Sequence, residues 1–194
     1  MCTCRYARLR WPRTHPWLYS GGVSLTAEYR TQLVARLRAT TADLVWAVRD
    51  LPGDHHHWTP DPEEWSIHEQ VSHLVDMEER VYLPLLRWAA IPEMLEPADY
   101  SRRVWRDERY EAGVPLGDLM EQLGRVRDEE FDVFRELDDT SWLRLRDDGH
   151  WGPVTCQWIA EVVYRHALDH LQGVMGLRGD LHIATLDRSV VGGV

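Results

Sequence analysis

The stretch that decides the fold is Ile159-Ala-Glu-Val-Val-Tyr-Arg-His-Ala-Leu-Asp-His-Leu-Gln-Gly-Val174. Its apolar residues recur at helical spacing and form one stripe, and His166 and His170 lie in the middle of that stripe. Four residues of helix bring a side chain back to within about 40° of its start, so both imidazoles face the same way. Two imidazoles in an apolar seam are costly unless their nitrogens are satisfied, either by a divalent metal ion or by the protein itself.

The composition is that of one globular domain of 194 residues, with 44% hydrophobic and 28% charged residues. No apolar run is long enough to span a bilayer, and the first residues lack the apolar core of a signal peptide, so we expect a cytoplasmic protein. A formal charge of -10 argues against a nucleic-acid partner. The three cysteines, Cys2, Cys4 and Cys156, show no ligand spacing, and we interpret them as reduced and non-catalytic.

Four segments carry the apolar spacing of amphipathic helices, and no segment has a convincing strand pattern. This predicts an all-α protein, a four-helix bundle with long inter-helix loops. Residues 1–23 are predicted to be a poorly ordered extension, residues 24–177 the bundle and residues 178–194 a tail. The long loop over residues 91–114 is typical of a cover over a site, and residues 141–153 indicate an ordered loop or short hairpin. The helices are expected at about residues 24–50, 66–90, 115–138 and 155–176.

Local signals define the ends of these helices. Ser66 and Glu69 form a capping box at the start of the second helix. Thr155 is expected to cap the fourth helix and Gly176 to end it. Pro84 is expected to kink the second helix in its last turns, because proline removes a helical hydrogen bond.

A third metal ligand is expected from a helix that faces the fourth one, as in other bundle metal sites. His68 and His73 in the second helix are the candidates, and they lie about 140° apart around that helix, so only one can face inward. His68 lies in the first turn, where we expect exposure, whereas His73 lies deeper, between Val71 and Leu74, and we choose His73. The histidine tract at residues 55–57 is expected to be a solvated loop, because three adjacent side chains cannot easily converge on one ion.

The segments around these histidines resemble the DinB/YfiT-like family of metal-binding four-helix bundles. The resemblance covers about residues 24–177 and is carried by Trp65-Ser-Ile-His-Glu-Gln-Val-Ser-His73-Leu, Trp151-Gly-Pro-Val-Thr and His166-x-x-x-His170-Leu. It implies a three-His metal site at His73, His166 and His170, with water completing the coordination sphere. The related mycothiol-dependent isomerases keep a carboxylate at one of these positions, so His166 argues against a maleylpyruvate isomerase.

Three neutral imidazoles leave a divalent ion its full charge and an open position, which is typical of catalytic sites. Such an ion lowers the pKa of bound water or of a thiol. Zn²⁺ and Ni²⁺ suit imidazole ligands, and Fe²⁺ fits as well. Four charged residues near the histidines either orient a ligand or form an ordinary solvated face: Asp76, Glu79, Arg165 and Asp169.

Two functions of different class follow. By the resemblance, the metal activates a low-molecular-weight thiol of the bacillithiol or mycothiol type for transfer to an electrophile, or water for hydrolysis. The alternative is a non-catalytic binding or stress-response module in which the metal staples the bundle. An exchangeable fourth position favours the enzyme, and a closed one favours the staple. Exposed tryptophans and a self-complementary helix face would allow a homodimer.

Overall fold

The computed structural model describes residues 27–97, 108–147, 149 and 151–191, the last five of these as backbone only. Its helices are α1 (Ala27–Val48), α2 (Ile67–Met77), α3 (Leu83–Ala90), α4 (Leu116–Glu136), α5 (Asp139–Leu143) and α6 (Cys156–Val191). None of them is long and apolar enough to cross a membrane. The predicted extension, residues 1–23, lies outside the described residues, and so do residues 98–107 of the predicted long loop.

α1 and α6 lie side by side and run in the same direction. Tyr29, near the start of α1, donates a hydrogen bond to Glu161, near the start of α6. At the other end, Arg178 of α6 donates to the carbonyl of Ala47, near the end of α1. This parallel pair forms an extensive interface.

α2 runs antiparallel to α6. Gln70 contacts His170, whereas Tyr82, twelve residues later in the chain, contacts His166, four residues earlier. α1 and α2 are therefore antiparallel to each other as well, since α1 and α6 share one direction.

α4 runs parallel to the second helix of the bundle. Gln122 donates to Glu79 at 2.9 Å, and Arg87, further along the second helix, donates to Glu129, further along α4. The four long helices therefore run up, down, down and up, which confirms a four-helix bundle. Two helices that follow each other in sequence and run parallel need a long crossover connection, and residues 91–115 supply it.

The second helix begins at a capping box and changes its winding before its end. The Ser66 hydroxyl accepts from the Glu69 amide at 3.2 Å, and the Glu69 carboxylate accepts from the Ser66 amide at 2.8 Å, as predicted. A π turn over residues 78–82 joins α2 to α3, where the Leu83 amide donates to the Glu78 carbonyl. The expected kink at Pro84 thus appears as a wider turn directly before the proline, which relieves its clash with the preceding turn.

Residues 138–154 form a short helix and a closed loop. Asp138 caps α5, which the sequence did not predict, by accepting from the Ser141 amide at 2.7 Å. Arg146 and Val154 then exchange two backbone hydrogen bonds of 2.9 and 2.8 Å. This isolated antiparallel bridge closes the segment in which an ordered loop or short hairpin was expected.

α6 starts where predicted but ends much later. The Trp158 amide donates to the Thr155 hydroxyl at 3.1 Å, which confirms the cap. The expected end at Gly176 is wrong, because α6 continues for about four more turns. Leu177 and Leu181 are buried and extend the apolar stripe beyond the glycine, so packing outweighs the low helix propensity of that residue.

The core consists of two apolar clusters that meet at the level of the histidines. The histidines lie on α2 and α6. Each of these two helices contributes residues to one cluster before this level and to the other cluster after it. One cluster includes Met77, Tyr82, Trp88, Ile159 and Val163. The other includes Val71, Leu74, Leu123, Val174 and Leu177.

A buried charged triad connects the π turn to α4. The Arg127 guanidinium donates to Glu78 at 2.6 Å and to Glu130 at 2.7 Å, and all three residues are at most 1% exposed. Burial raises the pKa of Glu78 well above its usual range, and Glu130 adds to the rise while Arg127 opposes it. A proton on Glu78 leaves the triad electrically neutral, as its burial requires.

This triad predicts how stability depends on pH. Because the pKa of Glu78 is raised in the folded protein, this group takes up a proton on folding, and its contribution to the free energy of unfolding falls as pH rises above about 4.3. Glu78→Gln carries the neutral form at every pH. We therefore expect its free energy of unfolding, measured by urea denaturation, to fall less than that of the wild type between about pH 5 and about pH 8.

The matched control is Glu79→Gln, since Glu79 is the exposed neighbour of Glu78. This variant should follow the pH dependence of the wild type. An equal fall in stability for wild type and Glu78→Gln would show that Glu78 does not take up the proton.

Candidate metal centre

Three buried histidines converge between α2 and α6. His73 comes from α2, and His166 and His170 come from successive turns of α6; they are 6%, 8% and 4% exposed. Each offers one ligand atom, and these atoms all lie within 4.8 Å of one another. The structure therefore brings together the three side chains that the sequence groups as ligands. In the described part of the chain, no other three His, Cys, Asp or Glu residues place their ligand atoms this close together.

The protonation of this group suits a divalent ion. The Nδ1 atom of His170 lies 2.5 Å from Oε1 of Gln70, so Nδ1 carries the hydrogen and Nε2 keeps its lone pair. Burial lowers the pKa of His170 to about 4, which keeps this imidazole neutral near neutral pH. A neutral imidazole is the form that binds metal.

The spacing of the donor atoms also suits an ion. Nε2 of His170 and Nε2 of His166 face each other at 3.0 Å. Two lone pairs cannot meet at this distance without a proton or a cation between them. Zn–N bonds of about 2.0–2.1 Å at tetrahedral angles place two nitrogens about 3.3 Å apart, so small side-chain rotations suffice to bring the donors around one ion.

Gln70 is a site residue that the sequence analysis missed. It is buried on α2 against the backbone of α6, and a Cβ atom built at Gly173 would lie 3.0 Å from its Nε2 and 3.1 Å from its Cδ. Gly173 therefore leaves the space that the carboxamide needs. Helical spacing was the sequence signal that could have placed Gln70 in the site. Gln70 precedes His73 by three residues and Gly173 follows His170 by three, so each lies on the same helix face as the histidine.

Aromatic rings enclose the histidines. Trp65, directly before the cap of α2, packs edge-on against His73 at 4.8 Å and lies nearly parallel to His170 at 6.2 Å. Tyr82, in the π turn, packs edge-on against His166 at 5.4 Å. These apolar surroundings lower the local dielectric and strengthen any electrostatic interaction at the donor atoms.

The two candidate carboxylates of the second helix of the bundle, one in α2 and one in the π turn, have other contacts. Asp76 pairs with Arg80 at 2.8 Å and with Arg109 at 3.9 Å. Glu79 is exposed and accepts from Gln122. Both belong to salt bridges and hydrogen bonds at the surface between helices.

The two candidates on α6 are solvent-exposed. Arg165 and Asp169 directly precede His166 and His170 in sequence, but the histidines are buried while their charged neighbours are not. Their exposure fits the interpretation that they form an ordinary solvated face. The side chain that hydrogen-bonds a histidine of the centre is Gln70.

His68 is buried, and the expectation of exposure is wrong. Its Nε2 donates to the carbonyl of Val114 at 2.7 Å, and its Nδ1 lies 3.0 Å from the hydroxyl of Tyr110. The ring of His57 packs against it at 4.5 Å. Burial lowers the pKa of His68. The end of the long crossover thus covers the first turn of α2, a tertiary contact that helical spacing cannot reveal.

Cys156 is fully buried at the start of α6. Burial raises the pKa of its thiol to about 12. The thiolate required for nucleophilic attack is therefore not formed near neutral pH, which agrees with the interpretation of this cysteine as non-catalytic.

Comparison with known proteins gives the same fold. The solved structure of YfiT from Bacillus subtilis, described as a probable metal-dependent hydrolase with an unusual four-helix bundle topology, is similar with a TM-score of 0.72 and 16% sequence identity. The similarity covers 84% of this chain and 94% of that chain. No curated protein matches the sequence significantly. The family model of the DinB superfamily matches residues 36–173, which include all three histidines, and the chain belongs to this superfamily.

Proposed function

We propose that the chain is a metal-dependent enzyme in which His73, His166 and His170 hold a divalent ion that activates water for hydrolysis or a small thiol for transfer. The observation that supports the proposal best is the meeting of two imidazole Nε2 atoms at 3.0 Å inside the bundle, with a third imidazole beside them. This donor set contains no carboxylate, so it stays neutral overall.

Each part of the centre has a distinct task in this proposal. Bound by neutral imidazoles, a divalent ion keeps its double positive charge and lowers the pKa of water or of a thiol beside it. Gln70 fixes the hydrogen of His170 on Nδ1 and so directs Nε2 into the centre. Because Gln70 is an amide, it orients the ring without adding negative charge. Trp65 and Tyr82 limit the access of bulk water.

Hydrolysis is the version that the comparison supports, since YfiT is described as a probable metal-dependent hydrolase. A low-molecular-weight thiol of the bacillithiol or mycothiol type is the second candidate nucleophile, because thiolates bind Zn²⁺ and Ni²⁺ well and imidazole suits both ions. The non-catalytic alternative is a bundle that a metal ion merely staples.

Metal content is the first test. Wild-type protein should contain about one divalent ion per chain, by elemental analysis after incubation with Zn²⁺ or Ni²⁺. His166→Ala/His170→Ala should contain almost none, because two donors are lost. His182→Ala, which removes an exposed histidine from the same helix, should keep the ion. Absence of metal from the wild type, or equal content in the double variant, would overturn the proposed site.

Turnover then separates the three functions. Metal-loaded protein is incubated with a panel of esters and amides, and with electrophiles in the presence or absence of bacillithiol or mycothiol. Metal-dependent hydrolysis without thiol supports the hydrolase, and a requirement for thiol supports the transferase. If chelation lowers the melting temperature and no substrate turns over, the metal only stabilises the bundle, and the proposal of an enzyme is wrong.

Two glycines of α6 test the role of Gln70. Replacing a helical glycine by alanine raises helix propensity by about 1 kcal/mol. At Gly176 a Cβ meets nothing within 4 Å, whereas at Gly173 it comes within 3.0 Å of the Gln70 carboxamide, which must shift by a few tenths of an ångström away from its position against His170. We expect Gly173→Ala to lower metal affinity by about tenfold or more, measured by chelator competition, and Gly176→Ala to leave it unchanged.

The tautomer of His170 provides an independent readout. In metal-free wild type, nitrogen NMR should show the hydrogen on Nδ1, and in Gly173→Ala this preference should weaken. Equal metal affinity in the two alanine variants, or a hydrogen on Nε2 in the wild type, would show that Gln70 does not position this ring.

A further inference from the structure

We propose that the groove between α1, α4 and α5 binds a small organic anion with a flat aromatic body, such as an aromatic carboxylate. The groove is separate from the metal centre, whose ligands come from α2 and α6. Its volume is about 360 Å³, which is the size of a small-molecule site. The residues that define it are three cations and three aromatic rings: Arg30, Arg38, Arg135, Phe131, Phe134 and Trp142.

Arg30 is a buried cation whose hydrogen-bonding capacity is only partly used. The residue is 7% exposed, and its Nη2 donates to the exposed carboxylate of Asp139 at 2.5 Å. Its Nη1 is buried and has no hydrogen-bond partner in the described part of the chain. A buried guanidinium with an unsatisfied nitrogen is costly, and a carboxylate is the acceptor that matches its fork geometry.

Arg38 supplies a second cation, about two turns further along α1. Its guanidinium lies 4.3 Å above the ring of Phe131. Within the described ranges, no carboxylate forms an ion pair with it. Arg135 contributes less, because it already pairs with Asp132 at 2.6 Å.

The aromatic wall suits a planar ligand. Phe134 and Trp142 lie nearly parallel, with ring centroids 5.2 Å apart and an angle of 10° between them. The Arg30 guanidinium lies 5.8 Å from the centroid of Trp142. The three rings are at most 6% exposed and form the apolar floor of the groove, which together with the cations favours a ligand with a flat apolar body and a charged end.

The charge of the groove lining also favours an anion. The whole chain has 22 basic and 32 acidic residues, whereas the groove is lined by three arginines and one carboxylate, that of Asp139. A local excess of positive charge in an acidic protein attracts anionic ligands.

Binding of 1-naphthoate by isothermal titration calorimetry tests the proposal. Wild-type protein should bind 1-naphthoate and should not bind the uncharged 1-naphthamide measurably. Arg38→Gln should weaken binding by about tenfold, because it removes a charged partner of the carboxylate. Arg36→Gln, at another exposed position on α1 that does not line the groove, should bind like the wild type.

Two further variants fix the location of the ligand. Asp139→Asn removes the carboxylate that competes for Arg30 and should strengthen binding. His73→Ala should not change it, which separates the groove from the metal centre. Absence of naphthoate binding, equal binding of the amide, or equal loss in Arg36→Gln and Arg38→Gln would overturn the proposal.

Discussion

The rest of the structure is arranged around three imidazoles that lie inside an apolar bundle. His73, His166 and His170 occupy the level at which the two apolar clusters of the core meet. Polar rings at such a depth must be satisfied by specific partners. The supporting features follow from this requirement: a carboxamide at Gln70, a glycine opposite it, and aromatic rings on either side.

Two buried polar contacts fix how the second helix of the bundle lies against its neighbours. Gln70 and His170 align α2 with α6, and Glu78 and Arg127 align the π turn with α4. Apolar packing alone tolerates sliding of one helix along another, whereas a buried charge or amide has a partner at only one register. The polar residues thus contribute specificity of alignment, and the apolar clusters contribute most of the stability.

The sequence predicts those features that depend on local spacing. The apolar stripe around His166 and His170 follows from helical periodicity, and the capping box at Ser66 follows from its sequence pattern. The choice of His73 followed from its depth in the helix, between Val71 and Leu74. The burial of His68 could not be predicted, because it depends on residues 110–114, which are distant in sequence.

The remaining differences have the same origin in tertiary contacts. Gly176 is a good stop signal by itself, yet burial of Leu177 and Leu181 carries α6 beyond it. The π turn depends on how α2 and α4 pack around Glu78, although Pro84 indicated an irregularity nearby. Gln70 carries no motif that marks it as part of a site, and only its contact with His170 reveals its place.

The order of the helices has a consequence for folding. Gln70 and His170 are 100 residues apart in sequence, so the centre forms only when two distant parts of the chain have met. Each helix can form from local interactions, but contacts of this separation carry a large loop-closure entropy and slow folding. In chain-entropy models, a covalent link across about 100 residues stabilises a protein by about 4.7 kcal/mol. An ion held by the three histidines would act differently, because it would bind the folded chain and leave the unfolded chain unrestricted. Its contribution to stability would therefore depend on its free concentration, and a chelator would remove it.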